Sequence, residues 1–197
     1  RFVESKREVW TTAVYPLVLI QWLTRRRFQD VRAVTANYFF SEHKANDCDD
    51  FGALLLRLEG GVAASVTAGR IGWTAHPSQG PNRTVLVGTK GTATIDAYQP
   101  RLEIADVQPR WTPPPRNPDD PMGFWSSTQA AAGTKPKRVW QVLEGEQKSD
   151  ASFFVDCLEA GKDSDVPVSK AAHVTETLLA AYKSAALGSL VRLPLER

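Results

Sequence analysis

Between Ala68 and Arg83 the chain reads Ala-Gly-Arg-Ile-Gly-Trp-Thr-Ala-His-Pro-Ser-Gln-Gly-Pro-Asn-Arg. Arg70, His76, Asn82 and Arg83 supply hydrogen-bonding groups and Trp73 supplies a ring face, the combination that binds and stacks a polyhydroxylated ligand. An ordinary surface loop with solvated Arg and His side chains is the competing reading. A second group, His43, Asp47, Cys48, Asp49 and Asp50, has metal-capable side chains but lacks the order of a calcium loop. It is expected to be a solvated connector ahead of a strand, and no metal is expected. His43 and His173 are read as ordinary structural histidines. Spacing supports no other chemistry: there is no G-x-G-x-x-G, no G-x-x-x-x-G-K-[ST], no G-x-S-x-G and no H-E-x-x-H. Cys48 and Cys157 are too few for a zinc knuckle or a disulfide framework.

Composition narrows the class further. Of 197 residues, 42% are hydrophobic and 23% charged, which places the chain among folded proteins with a core. Lys and Arg total 24 against 22 Asp and Glu, a net charge of +2, so neither nucleic acid nor an anionic membrane is an expected partner. The apolar run Ala13 to Ile20 is less than half of a membrane span. The charged start Arg1-Phe-Val-Glu-Ser-Lys-Arg-Glu8 has no apolar signal core, and Arg1 reads as a cut or processed end. A soluble, cytoplasmic chain with two free thiols is expected.

Periodicity assigns the elements. Glu8 to Arg27 carries Trp10, Val14, Leu17, Ile20 and Leu23 and predicts a buried helix, kinked or started near Pro16, with Arg25, Arg26 and Arg27 at its C-terminal end. Alternation from Asp30, then Phe51 to Leu58 and Val62 to Gly69 around Glu59-Gly60-Gly61, predicts three strands, two of them in a hairpin. Arg83 to Gly88 and Thr92 to Tyr98 repeat the hairpin, and Arg101 to Val107 and Arg138 to Leu143 can extend it. Gln108 to Pro136 is proline-rich and predicts a long surface excursion carrying Trp111, Phe124 and Trp125. Ser149 or Asp150 can cap a helix with Ala151, Phe154, Val155 and Leu158 on one face, stopped by Gly161. A second helix from Ser169 places Ala171, Val174, Leu178, Ala181, Tyr182 and Ala185 on one face and ends at Gly188, before an edge strand at Leu190 to Pro194. The expected fold is α+β, one open, predominantly antiparallel sheet with helices packed on one face.

Four segments in order carry a family resemblance. These are Val14-Tyr15-Pro16-Leu17 on a helix, the hairpin Ala53 to Val66, the turn Val87 to Asp96, and the ending Phe154 to Pro194. Together they resemble the C-terminal domain of the Gfo/Idh/MocA oxidoreductases, from about Trp10 to Pro194. The resemblance implies a parent of two domains. Residues 1–197 would be one substrate-binding and oligomerisation domain, and an N-terminal Rossmann domain, absent here, would bind most of the NAD or NADP. It implies an NAD(P)-dependent sugar or cyclitol oxidoreductase, inactive as an isolated fragment, with a homodimer or homotetramer formed through a sheet face.

The family's catalytic lysine lies in the absent domain and maps to no residue here. Its helix motif Asp-x-Gly-x-His-x-x-Asp falls on Thr11, Ala13, Tyr15 and Val18, so both carboxylates are replaced while Tyr15 keeps a donor. The roles implied are Tyr15 as the catalytic donor, with Thr11, Arg70, His76, Asn82 and Arg83 binding substrate. The alternative is a non-catalytic scaffold or paralogue that keeps the sheet for oligomerisation, which the loss of the motif carboxylates favours and the His76 loop opposes.

Overall fold

The computed structural model describes residues 7–69, 83–96, 101–106, 138–141 and 149–196, with backbone alone for 101, 106 and 138–141. The Gln108 to Pro136 excursion lies outside the described residues. The chain divides into two compact units, Arg1–Gly72 with Gln147–Arg197, and Trp73–Glu146.

The first unit opens with two short helices, α1 (Glu8–Thr12) and α2 (Val14–Thr24). They meet at Ala13 because Pro16 cannot donate to the Thr12 carbonyl four residues back and its ring crowds that carbonyl. Arg25 then turns left-handed (φ 54°) and ends α2, and the Arg26 guanidinium reaches the Glu59 carbonyl at 3.2 Å. The triple Arg is a helix end, as expected.

Four antiparallel strands follow in the spatial order β3-β2-β1-β8: β1 (Phe28–Ala36), β2 (Phe51–Leu58), β3 (Ala63–Gly69) and β8 (Val191–Arg192). Alternation works as the sequence predicts. Leu54, Leu56 and Leu58 are buried with Val31, Ala33, Val66 and Ala68, whereas Leu55 and Val34 stand on the exposed outer face. The turn between β2 and β3 uses Gly60 at φ 71°, a conformation that favours glycine.

On the inner face lie Val9, Ala13 and Leu17 from the first two helices and Val174, Leu178, Ala180 and Ala181 from α5 (Val168–Leu187), which ends at left-handed Gly188. The buried stripe of α5 also holds His173, Thr177 and Ser184, while Ala171, expected on that face, is exposed. The helix α4 (Asp150–Glu159) carries the expected cap, the Ser152 N–H donating to Ser149 Oγ at 3.1 Å. Truncating a buried leucine such as Leu54 in this layer costs about 2–5 kcal/mol.

The second unit is a separate antiparallel sheet in the order β4-β5-β6-β7: β4 (Arg83–Gly88), β5 (Gly91–Asp96), β6 (Arg101–Asp106) and β7 (Arg138–Gln141). The strands fall into two open sheets instead of the single one expected. Local hairpins are visible in a sequence, but which hairpins share a sheet depends on long-range pairing.

One buried histidine ties strand to helix. The Phe28 N–H at the start of β1 donates to His173 Nε2 at 3.0 Å, and the two rings stack with centroids 5.8 Å apart. The acceptor nitrogen must be unprotonated. Burial pushes the imidazole below its ordinary value, the Arg27 charge acts in the same direction, and Glu176 and Glu59 oppose them. Its folded pKa therefore lies below the unfolded value of about 6.5. The stability this provides is complete above that value and is lost as pH falls toward the folded pKa. The melting temperature of wild type should fall between pH 7 and pH 5 more steeply than that of His173→Gln, which keeps an uncharged acceptor. His173→Ala should cost about 2–4 kcal/mol at pH 7, from the unpaired N–H and the cavity. Equal pH slopes for wild type and His173→Gln in thermal melts would refute this.

Candidate functional site

No side chain at Arg7 caps α1, so the first N–H groups of this helix need remote acceptors. Asp49, forty residues on, provides them. Its carbonyl accepts from Glu8 N–H at 3.1 Å, and its Oδ2 accepts from Val9 N–H at 2.8 Å. The next N–H, of Trp10, donates to the Tyr182 hydroxyl at 3.1 Å, and that hydroxyl donates to Asp49 Oδ1 at 3.0 Å. Arg7 completes the cluster, with Nη1 3.6 Å from Asp49 Oδ1 and the guanidinium carbon 5.5 Å from the Tyr182 ring centroid. Burial, then the Asp49 charge and hydrogen bond, push the Tyr182 hydroxyl far above its ordinary pKa, so it stays protonated.

Asp50, fully buried, does the same for the turn after β1. Its carboxylate accepts from the N–H groups of Tyr38 (2.9 Å), Phe39 (2.7 Å) and Phe40 (3.0 Å). Burial alone would raise this carboxyl, but the three backbone donors and the nearby His43 outweigh it and hold it below the usual carboxylate range. His43 Nε2 lies 3.4 Å from Glu8 Oε1. The segment read as a solvated connector thus holds a short helix, α3 (Ser41–Ala45), and the buried residues Cys48, Asp49 and Asp50. Asp49 and Asp50 face inward because backbone donors there need an acceptor, while Glu42 and Asp47 are exposed as expected.

The predicted site residues fall in both units and partly outside the described residues. Tyr15, in the first turn of α2, is 74% exposed. Thr11, in α1, is half-buried, and its hydroxyl donates back to the Glu8 carbonyl at 3.1 Å, with Glu8 Oε2 at 3.4 Å. Ala13 is fully buried and Val18 packs against the core, so these two motif positions serve packing. Arg83 is exposed on β4 in the second unit, at the register position of Asp96. Arg70, His76 and Asn82 lie outside the described residues. Sequence reasoning missed Asp49 and Tyr182. The missing local cap at Arg7 was the available signal, since an uncapped helix start must find its acceptor elsewhere.

The comparisons with known proteins bear on this segment directly. A family model for the GFO/IDH/MocA C-terminal domain matches residues 5–94. Residues 5–94 are a GFO/IDH/MocA C-terminal domain match. The matched segment includes Thr11, Tyr15, Asp49, Asp50 and residues 70–83. Among solved structures, a putative oxidoreductase from Thermotoga maritima matches 92% of this chain and 45% of its own, with TM-score 0.63 and 18% identity. Levoglucosan dehydrogenase in complex with NADH and levoglucosan matches 93% of this chain and 49% of its own, with TM-score 0.65 and 18% identity. The WlbA dehydrogenase from Bordetella pertussis, in complex with NADH and UDP-GlcNAcA, matches 93% and 44%, with TM-score 0.56 and 16% identity. These likenesses show the fold, and the chain spans about half the length of each protein. No curated protein matches the chain. Among the described residues, no helix is long and apolar enough to cross a membrane, and no cluster of three or more His, Cys, Asp or Glu could hold a metal ion.

The Asp49 cluster sets the position of α1 and hence of the turn that carries Tyr15. Tyr182→Phe, which deletes one hydroxyl and leaves the Trp10 N–H and one Asp49 oxygen short of a partner, should cost about 1–3 kcal/mol, and Asp49→Ala about 3–5 kcal/mol. The double variant should cost less than the sum by about 1 kcal/mol or more. Urea unfolding of the four proteins measures the coupling, and strict additivity would show that the two side chains act separately.

Proposed function

We propose that this chain is the substrate-binding and oligomerisation part of an NAD(P)-dependent oxidoreductase that interconverts a carbinol and a carbonyl on a sugar or cyclitol. The match of residues 5–94 to the GFO/IDH/MocA C-terminal domain carries this reading. The fold likeness to dehydrogenases solved with NADH supports it. Tyr15 is the proposed donor to the reacting oxygen, because its side chain is exposed on the segment that matches the family's motif. Thr11, Arg70, His76, Asn82 and Arg83 are the proposed substrate contacts. Arg and His at such positions would hold hydroxyls in the ground state, whereas Tyr15 would act on the charge that changes during hydride transfer.

Neither backbone-donor cluster described above fits a dinucleotide. A pyrophosphate needs free N–H groups at a helix start, usually behind a glycine-rich turn. Here the start of α1 is occupied by the Asp49 carboxylate, and the turn after β1 wraps the Asp50 carboxylate. Both features repel a phosphate. NAD or NADP is therefore assigned to a dinucleotide-binding domain of the parent protein, and no step of the chemistry is derived through it here.

The outer face of the first sheet, with Val34 and Leu55 exposed, is the proposed oligomer surface. A scaffold that keeps this face without catalysis is the second reading. It is favoured by Thr11, whose hydroxyl is already bonded to the helix backbone, and by the absence of a carboxylate at Thr11 and Val18.

Two measurements test the reading. Calorimetry of the chain with NADH and NADPH should show no binding, and micromolar affinity for either would overturn the division of labour. In a protein that joins this chain to a dinucleotide-binding domain, Tyr15→Phe should lower kcat at least about tenfold, roughly 1.4 kcal/mol of barrier, while His76→Ala mainly raises KM. A kcat for Tyr15→Phe within about twofold of wild type would leave Tyr15 no catalytic part and favour the scaffold.

A further inference from the structure

Strand register fixes which charges stand on the outer face of the first sheet. Arg57 of β2 and Arg192 of β8 lie directly opposite Asp30 of β1, one on each side, and Arg32, two residues further along β1, lies directly opposite Leu55. Opposite residues of an antiparallel pair share a face, so three arginines surround one acid. Asp30 is the one carboxylate among the strand residues of this face, and it is buried. Arg57 donates to its Oδ2 from both Nε and Nη2. That pair consumes the acid. Arg32 and Arg192 are exposed and make no ion pair among the described residues. They are diagonal neighbours across β1 and β8, a separation of about 7–8 Å that long side chains span.

Leu55 cannot be covered without covering Arg32 beside it. In a two-fold contact the same patch lies on both copies, so pairing of this face with itself sets Arg32 against strands that have no free carboxylate to offer, wherever the axis falls. A guanidinium taken from water without an anion is costly, and like charges brought close add to the cost. The missing charge must come from outside the chain.

We propose that Arg32 and Arg192 form a site for a free polyatomic oxyanion such as phosphate, and that pairing of two copies through this face requires the site to be filled. A guanidinium binds two oxygens of such an ion at once, which suits a pair of arginines to phosphate better than to chloride. Assembly through the sheet then depends on the anion present. The proposal rests on the sheet-face reading of assembly and not on the catalytic one.

Sedimentation velocity of the whole chain from about 5 to 500 µM, with phosphate replacing chloride at a fixed ionic strength of about 0.15 M, tests it. Phosphate should tighten self-association at least about tenfold, because an ion bound better by the paired form shifts the equilibrium by mass action. Arg32→Gln with Arg192→Gln should associate in chloride alone, more tightly than the wild type does there, and phosphate should no longer matter. Oxyanions also strengthen apolar burial in general, an effect that the double variant would share with the wild type. Leu55→Arg should be monomeric in both salts, with circular dichroism showing that each variant keeps the native fold. Equal association of the wild type in the two salts, or an equal gain in wild type and double variant, overturns the oxyanion site, while a monomeric Leu55→Arg leaves the sheet-face reading standing. Association of Leu55→Arg as strong as that of the wild type overturns both. So does a double variant that stays monomeric in either salt, the outcome expected of a face that meets an acidic partner protein.

Discussion

Asp49 and Asp50 are adjacent in the chain and point at two sets of donors, and much of the first unit is arranged around that divergence. Asp50 has no exposed surface, yet three consecutive backbone N–H groups make burial of its charge tolerable. Asp49 reaches the start of α1 and, through the Tyr182 hydroxyl, the last turns of α5. The pair sits at the entry to β2, where the Asp50 N–H also donates to the Ala36 carbonyl at the end of β1. The exit of one strand, the entry of the next, the first helix and the longest helix are therefore fixed at one point. Gly52, two residues on, lets α1 lie against the sheet: a Cβ there would come within 2.5 Å of Val9 Cγ2. Close approach of the helix and satisfaction of its N–H groups are achieved by neighbouring residues.

Legibility in the sequence tracked the range of the interaction. The β2–β3 hairpin was readable because a tight Gly60-Gly61 turn and strict alternation are local, and the register places Leu54, Leu56 and Leu58 inward as the pattern requires. The Ser149 cap and the Gly188 stop were readable for the same reason. The break between α1 and α2 was half legible: Pro16 announced it, but the geometry falls at Ala13, next to the Thr12 carbonyl that Pro16 leaves without a donor. Asp49 and Asp50 were misread as solvated because acidic residues usually are, and their partners lie 40 and 133 residues away for Asp49 and ten to twelve for Asp50. The division into two sheets was hidden for a related reason, since a hairpin carries no local record of which sheet it joins.

The first unit is asymmetric in how it spends polar groups. Its inner layer is satisfied by specific pairs, such as Ser184 Oγ, which donates to the Ser189 carbonyl and accepts from the Ala33 N–H. Its outer sheet face adds to the backbone pairing the exposed Arg57 guanidinium, which donates to Asp30 Oδ2 across β1 and β2, and presents Val34 and Leu55 at adjacent register positions among Arg32, Ser65 and Thr67. A face that mixes isolated aliphatic side chains with charged ones stays soluble when uncovered, yet buries useful apolar area when covered.

The tyrosines of the first unit show how position separates hydroxyls held inside the fold from one open to solvent. Tyr182 is held by a donor and an acceptor at once, and with its ionisation pushed upward by burial and by Asp49 it cannot give up a proton near neutrality. The Tyr38 ring packs against Phe51 at the start of β2 while Asp50 fixes its backbone. Tyr15 differs from both: its side chain is exposed on the first turn of a helix whose own entry is fixed by Asp49 through α1. An acid or base must reach solvent or substrate with its proton and must also be held in place by something other than its reacting group. Tyr182 meets the second condition by giving up the first. Tyr15 meets the first, and the Asp49 anchor on the preceding helix supplies the second through the backbone.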